Sequence, residues 1–78
     1  MKTRVKLTFP QNLIKEPVLF TMAKRYDIIP NIRRAKVTAT AGEVVLELEG
    51  SEENIKNGIE YLRVQGVDIE LVEGDILE

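Results

Sequence analysis

The side chains in this sequence that could do chemistry are mostly carboxylates. Glu47 and Glu49 lie two residues apart on a strand-like run, so they share a face and could act as a paired general acid and base. Glu52 and Glu53 follow Ser51 and could together bind a cation. Each pair also has a structural explanation, as cross-strand ion-pair partners in the first case and as first-turn helix residues in the second. We favour the structural explanations and predict neither a catalytic residue nor a metal ligand.

A short basic segment is the second candidate for chemistry. Arg33, Arg34 and Lys36 form a small cluster that is typical of a solvated strand edge but could also bind an anion or a partner. Asn31 precedes it, directly after Pro30, where its amide could hydrogen-bond either a turn of the backbone or a ligand. Taken without further context, Asn31 is best interpreted as a turn residue.

The composition excludes several classes of site. The chain of 78 residues has no cysteine and no histidine, which excludes disulfides, zinc fingers, cysteine nucleophiles and imidazole bases. Carboxylates are then the only ionic metal ligands. Because no nucleophile and base pair can be identified, we expect a protein that is not an enzyme and has no cofactor.

The charge and hydropathy of the chain restrict its partners and location. Eleven basic and 13 acidic residues give a net charge of -2, so no global field would gather nucleic acid or an anionic membrane. No apolar run approaches the roughly 20 residues of a membrane span, and the first residues lead into an alternating pattern rather than an apolar signal segment. We expect a cytoplasmic protein that neither inserts into a membrane nor binds nucleic acid.

Hydrophobic periodicity predicts a strand followed by a helix in the first third of the chain. Apolar and polar residues alternate from Arg4 to Phe9, which is typical of a half-buried strand. Pro17 suits the first turn of a helix, and apolar residues follow it at helical spacing. The helix should end before Pro30, because proline disfavours a helical residue in front of it.

Two further strands are predicted next, from about residue 34 to 40 and from about 43 to 49. With Ala41 and Gly42 as the turn between them, Lys36 faces Glu47 and Arg34 faces Glu49. This register gives two opposite-charge pairs on one face of the sheet. An Ala-Gly turn specifies the register only weakly.

A second helix and a fourth strand complete the pattern. Ser51 is the predicted N-cap, an apolar stripe follows at helical spacing, and Gly66 ends the helix. Gly58 weakens this helix by about 1 kcal/mol relative to alanine unless another backbone packs against it. The alternation of Val67, Ile69 and Leu71 with acidic residues predicts the last strand.

The resulting order is βαββαβ in an α+β domain, with both helices on one face of an antiparallel sheet. Right-handed crossovers give the spatial strand order 4-1-3-2. The open face then carries alternating charges on adjacent strands and no aromatic side chain, which argues against the base stacking used by RNA-binding sheets of this topology. We expect a single domain over residues 1–78, with a core from 3 to 72 and a frayed tail over 73–78.

Short motifs spread over residues 5–72 are shared with a known family. They are Leu7-Thr8-Phe9-Pro10, Glu16-Pro17-Val18, Asn31-Ile32, Gly42 with the apolar strand after it, Tyr61-Leu62-Arg63 and Gly66-Val67. Together they resemble the NIL domain. That family is named for an Asn-Ile-Leu triplet, whose third place is taken here by Arg33.

The resemblance implies a fold, a function and a site. NIL domains have the ferredoxin-like βαββαβ fold, and they occur at the C-terminus of methionine ABC transporter ATPases, where a pair of them binds methionine and regulates transport. Others lie beside ferredoxin modules. The resemblance therefore implies a homodimeric regulatory module that binds methionine or a related amino acid through Asn31 and Ile32, with Ala35 and Val37 as weaker candidates. The alternative is a non-catalytic adaptor for sulfur-metabolism, ferredoxin-type or transporter partners.

Overall fold

Four strands and two helices make up the part of the chain that a computed structural model describes, residues 1–72. The tail that was expected to fray, residues 73–78, lies outside the described residues. In chain order the elements are β1 (Lys2–Pro10), a short 3-10 turn (Gln11–Leu13), α1 (Val18–Arg25), β2 (Ile29–Val37), β3 (Ala41–Glu49), α2 (Glu52–Gln65) and β4 (Asp68–Leu71).

The strands form one antiparallel sheet in the order β2-β3-β1-β4. This is the predicted 4-1-3-2 order counted from the opposite edge, and it confirms the predicted α+β architecture. Long β1 lies in the middle between β3 and the short β4, so the two βαβ halves interleave in the manner of the split βαβ motif.

The core lies between the sheet and the two helices. Inward residues of β1 and β3 pack against α1, α2 and the segments that join the helices to the strands. The buried apolar residues of this core are Val5, Leu7, Phe9, Leu13, Val18, Met22, Ile28, Leu46, Leu48, Ile55, Leu62 and Val67. Alternation along β1 sends the charged residues to the other side, so one face of the sheet is buried and the other is open. The predicted separation of the two faces is therefore correct.

Both ends of α2 follow the predicted chemistry. The Ser51 hydroxyl accepts a hydrogen bond from the Asn54 N–H at 3.0 Å, and Gly66 ends the helix in the left-handed conformation with φ of 104°. Gly58 is buried in the middle of this helix, where a Cβ atom would lie 2.5 Å from Ile28 Cδ1 and 3.0 Å from Met22 Sδ. Side chains, and not another backbone, therefore pack against Gly58.

The predicted bounds of β2 are wrong. The strand begins at Ile29, about five residues earlier than expected, and ends at Val37. Pro30 lies within this strand because β2 is at the sheet edge, where an N–H that points away from the sheet is not needed for pairing. Asn31 consequently lies inside a strand and is not a turn residue.

The predicted register between β2 and β3 is also wrong. The turn consists of residues 38–40, because the Thr38 hydroxyl accepts from the Thr40 N–H at 3.3 Å and the Ala41 N–H at 3.1 Å. Ala41 and the glycine after it belong to β3 instead. Lys36 therefore faces Glu43, and the predicted pairs of Lys36 with Glu47 and of Arg34 with Glu49 do not form.

A β-bulge interrupts β2 in the middle. Ile32 pairs with Leu46 and Arg34 pairs with Val45, so Arg33 is an extra residue with no partner opposite it on β3. Arg33 is exposed. Its place in the bulge explains how an arginine can stand where the family triplet has leucine, since no core contact is required there.

Candidate functional site

Polar side chains from three strands meet on the open face of the sheet, at the end where β2 begins. Asn31 of β2 is opposite Glu47 of β3, and Glu47 is in turn opposite Arg4 of β1. The next row toward that end is formed by Ile29, Glu49 and Lys2. Three adjacent strands thus bring an amide, carboxylates and cations into two neighbouring rows.

The charge at the centre of this arrangement is fixed by an ion pair. Arg4 Nη2 lies 2.6 Å from Glu47 Oε2, and both side chains are about three-quarters covered. The hydrogen bond from Arg4 lowers the pKa of the Glu47 carboxyl below its usual value, partial burial opposes this shift, and the nearby Arg33 charge supports it. Glu47 is therefore held ionised, as a partner for cations and not as a proton donor at neutral pH.

A cleft of about 280 Å³ lies beside these rows. It is lined by Lys2, Ile29, Pro30, Asn31, Glu47 and Glu49. The polar lining offers hydrogen-bond donors for an anionic group and carboxylates for a cationic group, while Ile29, which is 63% exposed, and Pro30 provide an apolar wall. Such a set of groups can bind a small zwitterion with an apolar side chain.

The four residues expected from the sequence to bind a ligand do not share one surface. Asn31 lines the cleft on the open face. Ile32, Ala35 and Val37 pair with Leu46, Val44 and Gly42, which places them on the helix side of the sheet. They are exposed there, because β2 is at the sheet edge, outside the area that the helices cover.

Sequence reasoning missed most of the residues that line the cleft. Lys2, Ile29 and Pro30 were not singled out, and Glu47 and Glu49 were assigned to ion pairs with β2. The available signal was the apolar, polar, apolar order of Pro30, Asn31 and Ile32, which continues the strand toward the N-terminal side. Excluding proline from strands hid that signal.

Two other concave surfaces are present among residues 1–72. A wider one of about 580 Å³ lies between α2 and the edge formed by β1 and β4, with Ile55, Ile59 and Leu71 in its lining. Another of about 350 Å³ lies between α1 and α2. Neither combines both signs of charge with an amide from the sheet as the cleft beside Asn31 does.

The described residues contain no group of three or more acidic, histidine or cysteine side chains that could hold a metal ion. None of the helices in this part of the chain is long and apolar enough to cross a membrane.

Comparison with known proteins identifies what the chain resembles. The sequence model of the NIL domain matches residues 3–71. The methionine import ATP-binding protein MetN 1 of Bacillus anthracis is 30% identical over 70 residues, which cover 85% of this chain and 20% of that protein. The protein of the same name from Listeria monocytogenes serotype 4b is 30% identical over 73 residues, which cover 88% of this chain and 22% of that protein. The chain thus spans about a fifth of the length of these relatives.

Solved structures agree with this similarity. The C-terminal domain of an ABC transporter ATP-binding protein from Enterococcus faecalis superposes with a TM-score of 0.79 at 26% identity, covering 94% of this chain and 86% of that one. The de novo designed protein Foldit4 superposes with a TM-score of 0.58 at 12% identity, covering 91% of each chain. At such low identity the second match concerns the fold alone.

Proposed function

Because the chain belongs to the NIL domain family, we propose that it is a regulatory module that senses methionine or a related amino acid through the cleft beside Asn31. The supporting observation is the combination in one cleft of the Asn31 amide, the Lys2 ammonium and two carboxylates around an apolar wall. The names of the relatives from Bacillus anthracis and Listeria monocytogenes refer to methionine import, which makes methionine the first ligand to test.

The proposed binding mode follows from the charge of each group. The ligand carboxylate accepts hydrogen bonds from Lys2 and from the Asn31 amide. The ligand ammonium donates to Glu49, which makes no ion pair within the described residues, whereas Glu47 is already neutralised by Arg4. The thioether tail packs on the apolar wall formed by Ile29 and Pro30.

Of the residues expected from the family resemblance, Asn31 keeps its role in this proposal. Ile32, Ala35 and Val37 stay outside it, because a ligand in the cleft would have to pass around the strand edge to reach them. An ATP-binding component of a transporter is the first partner to consider for such a module, in the cytoplasm, with a ferredoxin-type protein as the second. The homodimer also stays a prediction.

Titration calorimetry with L-methionine tests the proposal. We expect binding to the unaltered chain and loss of binding in Asn31→Leu, which keeps the size of the side chain but removes its polar atoms. Asn57→Leu makes the same change on the exposed face of α2 and should leave binding intact. The absence of heat and of thermal stabilisation with methionine and related amino acids, at concentrations up to millimolar, would refute the proposal.

Thermal unfolding gives an independent measure of the same binding. A ligand present at 100 times its Kd adds about 2.7 kcal/mol to the free energy of unfolding. For a domain of this size that corresponds to an increase in Tm of roughly 10 to 20 °C. Glu49→Gln should reduce the shift caused by methionine, while Glu53→Gln on α2 should not.

An adaptor without a small ligand is the second candidate function. It is supported by the uncovered edge of β2, where Ile32 is 56% and Val37 is 64% exposed. The two candidates differ in a simple observation, because an adaptor would show no stabilisation by amino acids but would bind a protein partner.

A further inference from the structure

The outer edge of β2 offers unpaired backbone groups. Among residues 1–72 this strand pairs only with β3 and ends the sheet. The Thr38 N–H donates to the Ala41 carbonyl at 2.8 Å. In an antiparallel ladder, hydrogen-bonded pairs alternate with pairs that are not hydrogen-bonded, so every second residue of β2 counted from Thr38 bonds to β3. By this alternation Ala35 and Val37 direct their N–H and C=O groups away from β3, toward any strand that would lie alongside.

The charges on this edge have one sign. Arg33, Arg34 and Lys36 make no ion pair with any of the described residues. The nearest carboxylates of β3 form ion pairs with β1 instead. Lys6 Nζ lies 3.3 Å from Glu43 Oε2, and Arg4 pairs with Glu47. The strand itself, Ile29–Val37, contains no acidic residue. Arg34 and Lys36 are therefore available to an acidic partner.

The side chains of this edge strand are charged on one face of the sheet and apolar on the other, so they favour different residue types on the two faces of a partner strand. Arg34 and Lys36 lie on the open face, and Ala35 and Val37 lie on the helix side, where both are exposed. A strand that alternates acidic and apolar residues would place acids beside the cations and apolar side chains beside Ala35 and Val37. Register and charge together thus define the chemistry of the partner.

We propose that residues 34–37, named here the β2 edge, dock an extended acidic segment of another protein as a fifth strand. This goes beyond the proposed amino-acid site, which lies on the other side of the bulge. A second copy of the chain fits the β2 edge poorly, because pairing about a two-fold axis would set arginine and lysine side chains against one another. Pro30 and the bulge at Arg33 restrict the docking to the last residues of the strand.

Binding of a synthetic probe tests the proposal. The probe is a short capped peptide of alternating glutamate and valine, and its counterpart contains lysine in place of glutamate. We expect the glutamate peptide to bind, to shift backbone amide NMR signals of the β2 edge, and to bind more weakly as salt rises from about 50 to about 500 mM. Equal binding of the lysine peptide, or shifts confined to another surface, would overturn the proposal.

Matched variants distinguish the effect of the β2-edge cations on peptide binding from the effect of the net charge of the protein. The double variant Arg34→Glu/Lys36→Glu should weaken binding of the glutamate peptide by at least about tenfold. The double variant Lys15→Glu/Lys56→Glu carries the same change of charge on exposed residues elsewhere and should bind as the unaltered chain does. Equal weakening in the two double variants would contradict specific binding of the peptide at the β2 edge. Methionine titration of the first variant should be unchanged, which distinguishes failure here from failure of the proposed function.

The role of the backbone is tested without altering the protein. N-methylation of alternate residues of the glutamate peptide removes the N–H groups that would pair with β2 while keeping its charge. We expect this peptide to lose binding. If it binds as tightly as the parent peptide, strand addition is wrong and the cations attract acidic chains of any conformation.

Discussion

Glu47 shows how a single residue of the open face links stability to pH. Its carboxylate accepts a hydrogen bond from Arg4 and lies near Arg33, so its pKa in the folded chain is lowered. A carboxyl with a lower pKa in the folded state contributes stability above its unfolded value, near 4.3, and loses that contribution as the pH falls through the folded value. The ion pair therefore stabilises the fold at neutral pH and not in acid.

Replacing Glu47 tests this linkage. Glu47→Gln keeps the shape of the side chain and removes its titration, so we expect a lower Tm at neutral pH and a smaller fall in Tm between about pH 6 and pH 3. Glu60→Gln is the control, because Glu60 pairs with Arg63 only on an exposed helix surface. Identical pH profiles of Glu47→Gln and the unaltered chain would refute the assignment.

Gly58 gives a second prediction at the scale of a residue. Gly58→Ala improves helix propensity by about 1 kcal/mol, but overpacking against buried Met22 and Ile28 costs about 1 to 3 kcal/mol. We expect a net loss of up to about 2 kcal/mol in the free energy of unfolding, measured by urea denaturation. Asn57→Ala, one residue earlier and exposed, should be neutral or stabilising.

A rescue variant identifies the cause of this loss. Ile28→Val removes the Cδ1 atom that a Cβ at position 58 would approach most closely. The double variant with Gly58→Ala should therefore be more stable than the sum of the two single effects. Strict additivity would mean that crowding by Ile28 is not the cause.

At the scale of the elements, the sequence predicts the helices and their ends, which depend on periodicity and capping. It does not predict the β2–β3 register, which depends on the chemistry of the turn. The helix ends at Ser51 and Gly66 are recognisable because each residue supplies one local function. The β2–β3 register is not recognisable in this way. The Thr38 hydroxyl accepts the Ala41 N–H and so places the turn at residues 38–40, ahead of the Ala-Gly pair that was expected to form it. The cleft was missed for a related reason, since its residues Ile29 and Pro30 belong to a strand whose beginning depends on tolerance of proline at an edge.

The cap of α2 yields a prediction about an element. Ser51→Ala removes the acceptor for the Asn54 N–H and should lower the free energy of unfolding by about 1 kcal/mol. Ser51→Asp keeps an acceptor at the same place and should retain most of the stability. Chemical denaturation of both variants checks this, and equal loss in the two would exclude the cap as the cause.

For the whole molecule, alternation along the strands was enough to predict the fold, because the inward residues of β1 and β3 leave only one face for two helices. Alternation does not predict how much of that face the two helices cover. Val37 and Leu71 have the inward parity, yet both are more than 60% exposed, since they lie on the outermost strands or at their ends. The core is therefore centred on β1 and β3 and is narrower than the pattern of apolar residues.

A matched pair of leucines measures this difference. Leu7 on central β1 is fully buried and Leu71 on β4 is 61% exposed. Leu7→Ala should cost about 2 to 5 kcal/mol, a large part of the roughly 4 to 12 kcal/mol expected for 78 residues. Leu71→Ala should change the free energy of unfolding by about 0.5 kcal/mol or less. Similar losses in the two variants would show that the helix layer extends farther over β4.

The bulge at Arg33 also bears on how the length of this strand can vary through evolution. Because Arg33 faces no residue of β3, a chain that lacks it could keep every other pair of β2 and β3, and the residues on both sides would remain on their present faces. Loss of a residue farther along the strand, such as Ala35, would instead place Arg34 opposite Val44 on the helix side of the sheet. Natural insertions and deletions in this strand should therefore accumulate at one position, and homologues of unequal length could share the same cleft.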